Sequence, residues 1–217
     1  ILEPGLTQKH FDEAARQGVW LAKAGFGKFK SPFDYKPYVK MAQKAGMIVN
    51  VHTGGASIPD SSPITGDHLL HMQPDVSFHI NGGPVAMPDA DFPRIINESK
   101  IALQICQAGN IRTALMCLDM AIEADAFDRL IFATDTPTGT GVMPLGMIKT
   151  VVEMACLSKH APEMMLAAAT GNNANVYKIN TGFIKRGSGC GVHRWYSALC
   201  RTVPQYSPVD PPDADCA

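Results

Sequence analysis

The chain has six cysteines among its 217 residues but no Cys-x-x-Cys pair. That removes the common zinc-ribbon and dithiol redox patterns. It also lacks any apolar run near the ~20 residues of a membrane-spanning helix. No signal peptide opens the sequence. Formal net charge is −1, so electrostatics give no reason to expect nucleic acid or an anionic membrane as partner. Gly-x-Ser-x-Gly is absent, which argues against a serine-hydrolase elbow. Gly25-x-Gly27 does not continue into a dinucleotide fingerprint. A small-molecule substrate is the expected partner. Cys106, Cys117 and Cys156 lie in apolar contexts and read as buried thiols, which makes a reducing cytoplasmic compartment the default expectation.

What is present is an alternation of strand-like and helix-like segments. Apolar content is 46% and charged content 18%, ordinary for a globular domain. Helical patterns fall at Thr7–Gln17, with Thr7 as N-cap, and at Asp34–Ala45, ended by Gly46. Others fall at Asp89–Ser99, Ile111–Ala126, Leu145–Ser158 and Pro162–Ala169. Apolar runs at Val19–Ala22, Met47–Val51, Val76–Phe78, Ile101–Ile105 and Leu130–Ala133 read as strands. Strands alternating with helices argue for a parallel sheet, and strands apolar throughout argue for cover on both faces. Five strands fall short of an eightfold barrel of ~250 residues. The expected architecture is α/β: a partial (β/α)8 barrel of about five βα units across residues 1–184, resembling the last five units of a barrel, or an open sheet with the same layout. Residues 185–217 hold Cys190, Cys200 and Cys216 and show no periodicity, so they read as an irregular C-terminal tail.

Four residues at strand ends carry the candidate chemistry. Lys23, His52, His79 and Asp135 each close an apolar run, at intervals of roughly 28 residues with one interval doubled before Asp135. Side chains at the C-terminal ends of barrel strands converge, so one metal ion could be shared. His52 in His-Thr-Gly-Gly and His79 in His-Ile-Asn-Gly-Gly follow the same grammar, and neutral imidazole is a common zinc ligand. A hydrogen-bonded structural histidine is the plainer reading of either alone. Asp135 in Ala-Thr-Asp-Thr-Pro could ligate a metal, deprotonate water, or simply cap a turn. Lys23 could be an ordinary snorkelling lysine or, carboxylated by carbon dioxide, an anionic oxygen ligand. His68 and His71, three apart in GDHLLHM, read as surface residues rather than ligands.

The segments VHTGGASIPDSSPIT, SFHINGGPVAMPDAD, IFATDTPTGTGVMPLGMIKTV and ATGNNANVYKINTGFI resemble the amidohydrolase superfamily, especially its cyclic-amide-hydrolysing members. The resemblance implies a distorted barrel holding one or two divalent metals. Zinc is the first expectation, with iron or manganese as alternatives. It matches the bridging carboxylate position, occupied by Glu or carboxylated Lys in the family, to Lys23. It matches the two later histidine ligands to His52 and His79, and the aspartate that is both ligand and base to Asp135. The family's His-x-His on its first strand has no counterpart here.

The expected function is metal-dependent hydrolysis of a cyclic amide or related C–N bond, or an ester, through activated water. Two other readings stand beside it: a non-catalytic oligomerising chain, and a glycosidase using paired carboxylates. Unpaired sheet edges near Val19–Ala22 and Leu130–Ala133 would favour a homo-oligomer.

Overall fold

The computed structural model describes residues 1–27, 29–82, 86–136 and 141–184. The expected tail, with its three cysteines and His193, lies outside the described residues. Five strands form one parallel sheet in sequence order: β1 (Leu21–Ala24), β2 (Ile48–His52), β3 (Val76–Phe78), β4 (Ala102–Cys106) and β5 (Leu130–Ala133). No strand order reverses, so this is an arc of a barrel and not a doubly wound sheet with a switch point. The helices are α1 (Gln8–Arg16), α2 (Lys36–Lys44), α3 (Gly66–Met72), α4 (Asp91–Glu98), α5 (Ile111–Glu123), α6 (Gly146–Leu157), α7 (Pro162–Ala169) and α8 (Gly171–Val176). Among the described residues no helix is long and apolar enough to cross a membrane.

Two clusters mark the two faces of the sheet. Val49, Val51, Leu103, Ile105, Leu130 and Phe132 pack outward into the large core with the helices. Ile48, Val76, Ala102 and Ile131 form a smaller inner cluster, covered by Val176 and Tyr177. β2 to β5 therefore have two faces to bury, which is why their runs are largely apolar and do not alternate strictly with polar residues.

β1, β2 and β4 begin one or two residues later than their apolar runs, whereas β3 and β5 begin with theirs. β1 starts at Leu21, not Val19, and Lys23 lies inside the strand rather than after it. β2 starts at Ile48, not Met47, and His52 is its last residue. One motif explains both shifts. Gly18 (φ 88°) and Gly46 (φ 84°) are left-handed. Val19 N–H donates back to Ala14 O, and Met47 N–H to Ala42 O. Gly18 and Gly46 N–H donate to Ala15 O and Gln43 O. These are Schellman closures, which use the residue after the glycine to end the helix. Asp125 (φ 52°) performs the same turn after α5, so that helix ends at Glu123 and not at Ala126.

The two edges of the sheet differ. Ala133 O accepts from Gln107 N–H on the β4 side, so Leu130 O and Phe132 O turn outward. Asn172 Nδ2 donates to Leu130 O at 2.9 Å and to Phe127 O at 2.7 Å, and Asn173 Nδ2 donates to Phe132 O at 3.1 Å. The expected edge at Leu130–Ala133 is present, since β5 ends the sheet, but side-chain amides from α8 take its outward carbonyls. At β1, Lys23 O accepts from Leu2 N–H at 2.8 Å, but Val19, Trp20 and Leu21 stay 45%, 47% and 39% exposed.

Candidate metal centre

The C-terminal ends of the strands carry the candidate residues, because each strand there turns sharply into its loop. His52 ends β2 with Gly25 pressed flat against it. Gly25 has φ 92°, and a Cβ there would stand 2.8 Å from His52 Cβ. The next residue, Phe26, lies edge-on to the imidazole, with ring centroids 6.1 Å apart. His52 Nε2 lies 2.6 Å from Gly55 O. A carbonyl only accepts, so this nitrogen carries the proton and Nδ1 keeps the lone pair. Burial lowers the His52 pKa, with Lys23 adding to the effect and the bond to Gly55 and the charge of Asp135 opposing it.

His79 follows β3 in a left-handed turn of φ 35°. Its ring sits 4.5 Å from that of His52, inclined at 68°. Burial first, then His52 and Lys23, push its pKa down to about 3. It is neutral across the physiological range. Backbone hydrogen bonds at His79 and Thr53 oppose that fall, but among the described residues its buried Nδ1 has no hydrogen-bond partner.

Lys23 points to the same side from β1, its register partner on β2 being Asn50. Its Nζ lies 3.8 Å from the Phe78 ring centroid and 5.4 Å from that of Phe26. Burial lowers its pKa from 10.5 to about 7, with Asp135 pulling the other way. A substantial neutral fraction therefore exists near neutral pH.

Asp135 lies two residues past β5, also left-handed at φ 59°. It acts on Lys23, His52 and Cys106 through space. Among the described residues no hydrogen bond or ion pair ties it to the other three. Of the six described non-glycine residues with positive φ, Gln73, Asp125 and Lys178 serve helix C-termini, and Asp60 lies in a loop. Among the described residues, His79, directly after β3, and Asp135, two residues after β5, are the ones that hold this conformation at strand ends. Strain of this kind concentrates where a side chain must be aimed.

The structure thus brings Lys23, His52 and His79 together and sets Asp135 within electrostatic reach. Among the described residues no three His, Cys, Asp or Glu side chains stand close enough to hold an ion unaided. A centre here needs the lysine as a donor. Two neutral imidazoles, one with a buried orphan nitrogen, together with a lysine and a carboxylate, fit a divalent ion such as zinc. Cys106 closes β4 beside them, but burial, and then the charge of Asp135, raise its pKa to about 12. It remains a thiol and not a thiolate ligand.

Other residues are sorted by contact. His68 caps α3, its Nδ1 accepting from Thr65 N–H at 3.1 Å, and His10 does the same for Thr7 at the start of α1. Thr-x-x-His at both helix starts was the available sign, a variant of the capping box. His160 binds Asp119 at 2.7 Å. Cys106 and Cys117 are buried as expected, whereas Cys156 is exposed: it lies on the solvent face of α6, whose apolar character misled the reading. The chain also hides a polar layer beneath the site, in Asn50, Gln104 and Tyr177, which no pattern announced.

An ordered parallel arc of βα units with its ionisable side chains at the C-terminal rim is part of a (β/α)-barrel hydrolase fold. No family model matches the chain. It is 43% identical over 188 residues to enamidase of Eubacterium barkeri, spanning 86% of this chain and 49% of that protein. The crystal structure of enamidase, described as a new member of the amidohydrolase superfamily, superposes with a TM-score of 0.82 at 42% identity. That match covers 87% of this chain and 49% of the other. A putative 2-pyrone-4,6-dicarboxylic acid hydrolase from Pseudomonas putida matches with a TM-score of 0.58 at 14% identity, over 82% of this chain and 70% of its own. A triazine hydrolase from Arthobacter aurescens gives 0.57 at 14% identity, over 83% and 44%. These last two share the fold. The chain belongs to the amidohydrolase superfamily, and it spans about half the length of the curated relative it matches.

Proposed function

We propose that the chain carries the metal-binding rim of an amidohydrolase-type hydrolase acting on a cyclic amide or related C–N bond, with an ester as the alternative substrate. The ligands are His52, His79 and Lys23 in carboxylated form, with Asp135 as the fourth. The observation that carries the reading is the buried, unpartnered Nδ1 of His79 beside a histidine whose own proton is already placed by Gly55. An unpaired buried nitrogen is costly unless something binds it.

A divalent ion, zinc first, would supply Lewis acidity toward water and toward the substrate carbonyl. The chain's own residues do the rest. Burial lowers the pKa of His52 and takes that of His79 to about 3, which favours the neutral rings that offer lone pairs. The lowered pKa of Lys23 provides the free amine that reaction with carbon dioxide requires. Phe26 and Phe78 wall the lysine from water. Asp135 accepts a proton from the attacking water and returns it to the leaving nitrogen or oxygen. The resemblance to enamidase supports the cyclic amide as substrate class. The exposed apolar run at β1 supports a homo-oligomer.

The test is elemental analysis of purified protein. About one divalent ion per chain is expected, and under ~0.2 per chain after gentle purification would sink the reading. His52→Ala and His79→Ala should each lose the ion, and retention in both would remove them as ligands.

A further inference from the structure

Below the candidate centre, the inner face of the sheet is apolar at Ile48, Val76, Ala102 and Ile131. Two amides break that surface. Asn50 is 3% exposed and Gln104 is 7% exposed. Both meet the phenol of Tyr177, which enters from the end of α8. Tyr177 Oη donates to Asn50 Oδ1 at 3.2 Å, and Gln104 Nε2 donates to Tyr177 Oη at 3.5 Å. The remaining ends of the amides reach the site itself. Gln104 Oε1 accepts from His79 N–H at 3.3 Å, and Asn50 Nδ2 donates to Ala22 O at 3.4 Å, one residue before Lys23. Donors and acceptors alternate correctly along the whole chain of contacts, with one orientation for each amide.

We propose that Tyr177 is a positioning residue for the metal centre: through Gln104 it holds the His79 backbone in its left-handed turn, and through Asn50 it holds the strand bearing Lys23. This inference rests on the metal-centre reading. The geometry gives three reasons. Each contact alone is long and weak, so a phenol is needed to join two amides that would otherwise be buried half-satisfied. The backbone at His79 occupies a conformation that persists only when surrounding contacts determine it. Trp20 packs edge-on against Tyr177 at 6.3 Å and 87°, which fixes the ring in place. Burial raises the phenol pKa to about 12, the bond from Gln104 opposing it, so the O–H stays a donor.

The experiment uses the full chain with Tyr177→Phe, which removes the hydroxyl and keeps the ring. Two quantities are read: zinc affinity by chelator competition, and the amide 15N shift and exchange protection of His79 in metal-free protein. Removing an outer partner of a ligand weakens metal binding about tenfold or more, and that loss is expected here together with a displaced, less protected His79 amide. Gln104→Met carries the same two readouts if Tyr177→Phe does not fold. Ile131→Val, in the same inner face but outside the network, should lower the melting temperature without moving either readout. Zinc affinity within about twofold of the parent, or an unmoved His79 amide, overturns the proposal. If the parent chain itself binds no zinc, the metal-centre reading fails, and the His79 amide in metal-free protein still decides whether Tyr177 positions that turn.

Discussion

The two edges of the sheet end differently, and the contrast shows how a partial barrel is finished. At β5 the outward carbonyls are taken by Asn172 and Asn173, and Leu130, Ile131 and Phe132 are 1% exposed or less. At β1 a single bond from Leu2 lies beside an exposed Val-Trp-Leu run. An edge is a hazard when unpaired backbone and apolar side chains coincide. β5 buries its apolar side chains and has its outward carbonyls bonded, whereas β1 leaves an apolar run exposed. The proposed centre takes one residue from each side: Asp135 follows β5 and Lys23 lies on β1.

The largest expected effect tests the sealed side as a platform for chemistry. Asp135→Asn should slow turnover by roughly 10²–10⁴ while the fold and most of the bound metal remain, because its strand is anchored independently of its carboxylate. Steady-state kinetics beside elemental analysis check this, and an unchanged rate would make Asp135 a turn-forming residue only. Next comes the seal itself. Asn172→Ala strands two carbonyls and should cost about 2–4 kcal/mol in urea denaturation. A change below about 0.5 kcal/mol would mean that water replaces the amide, and the edges would then be alike. A smaller effect is expected at Gly25, where alanine must adopt φ 92° against His52. Gly25→Ala should cost about 1–3 kcal/mol and disturb metal binding more than most loop changes do. Smallest in stability, but decisive for the contrast, is Trp20→Lys. It should change the melt by less than about 0.5 kcal/mol yet shift light scattering at micromolar concentration toward monomer. Self-association that survives Trp20→Lys would move the interface away from β1.

Much of this was legible in the sequence because it is local. Five apolar runs separated by helical patterns announced the parallel sheet, and His52 and His79 announced themselves by a shared turn grammar. Pro162–Ala169 was bounded correctly because proline can only open a helix there. The strand starts at Val19 and Met47 were misjudged, since a hydrophobic residue that closes a Schellman turn looks like the first residue of a strand. The helix Asp34–Ala45 resolves into a 3₁₀ turn, Pro32–Tyr35, followed by α2. α8 has no sequence signature because its asparagines suit turns as well as helices, and their partners lie 41–45 residues away on β5 and the turn before it. Tyr177 reaches Asn50 across 127 residues, a link no spacing rule reveals.

The left-handed turns at His79 and Asp135 carry an evolutionary consequence. At such φ values glycine is the residue a backbone prefers, and any other side chain carries a conformational penalty of order 1 kcal/mol. A population of variants selected only for resistance to unfolding should therefore drift toward glycine at positions 79 and 135. The same population selected for metal-dependent growth should discard those glycines first. These two positions mark where the chain has given up folding free energy to keep a side chain aimed, and opposing enrichment under the two selections would trace the working rim of the barrel without a substrate in hand.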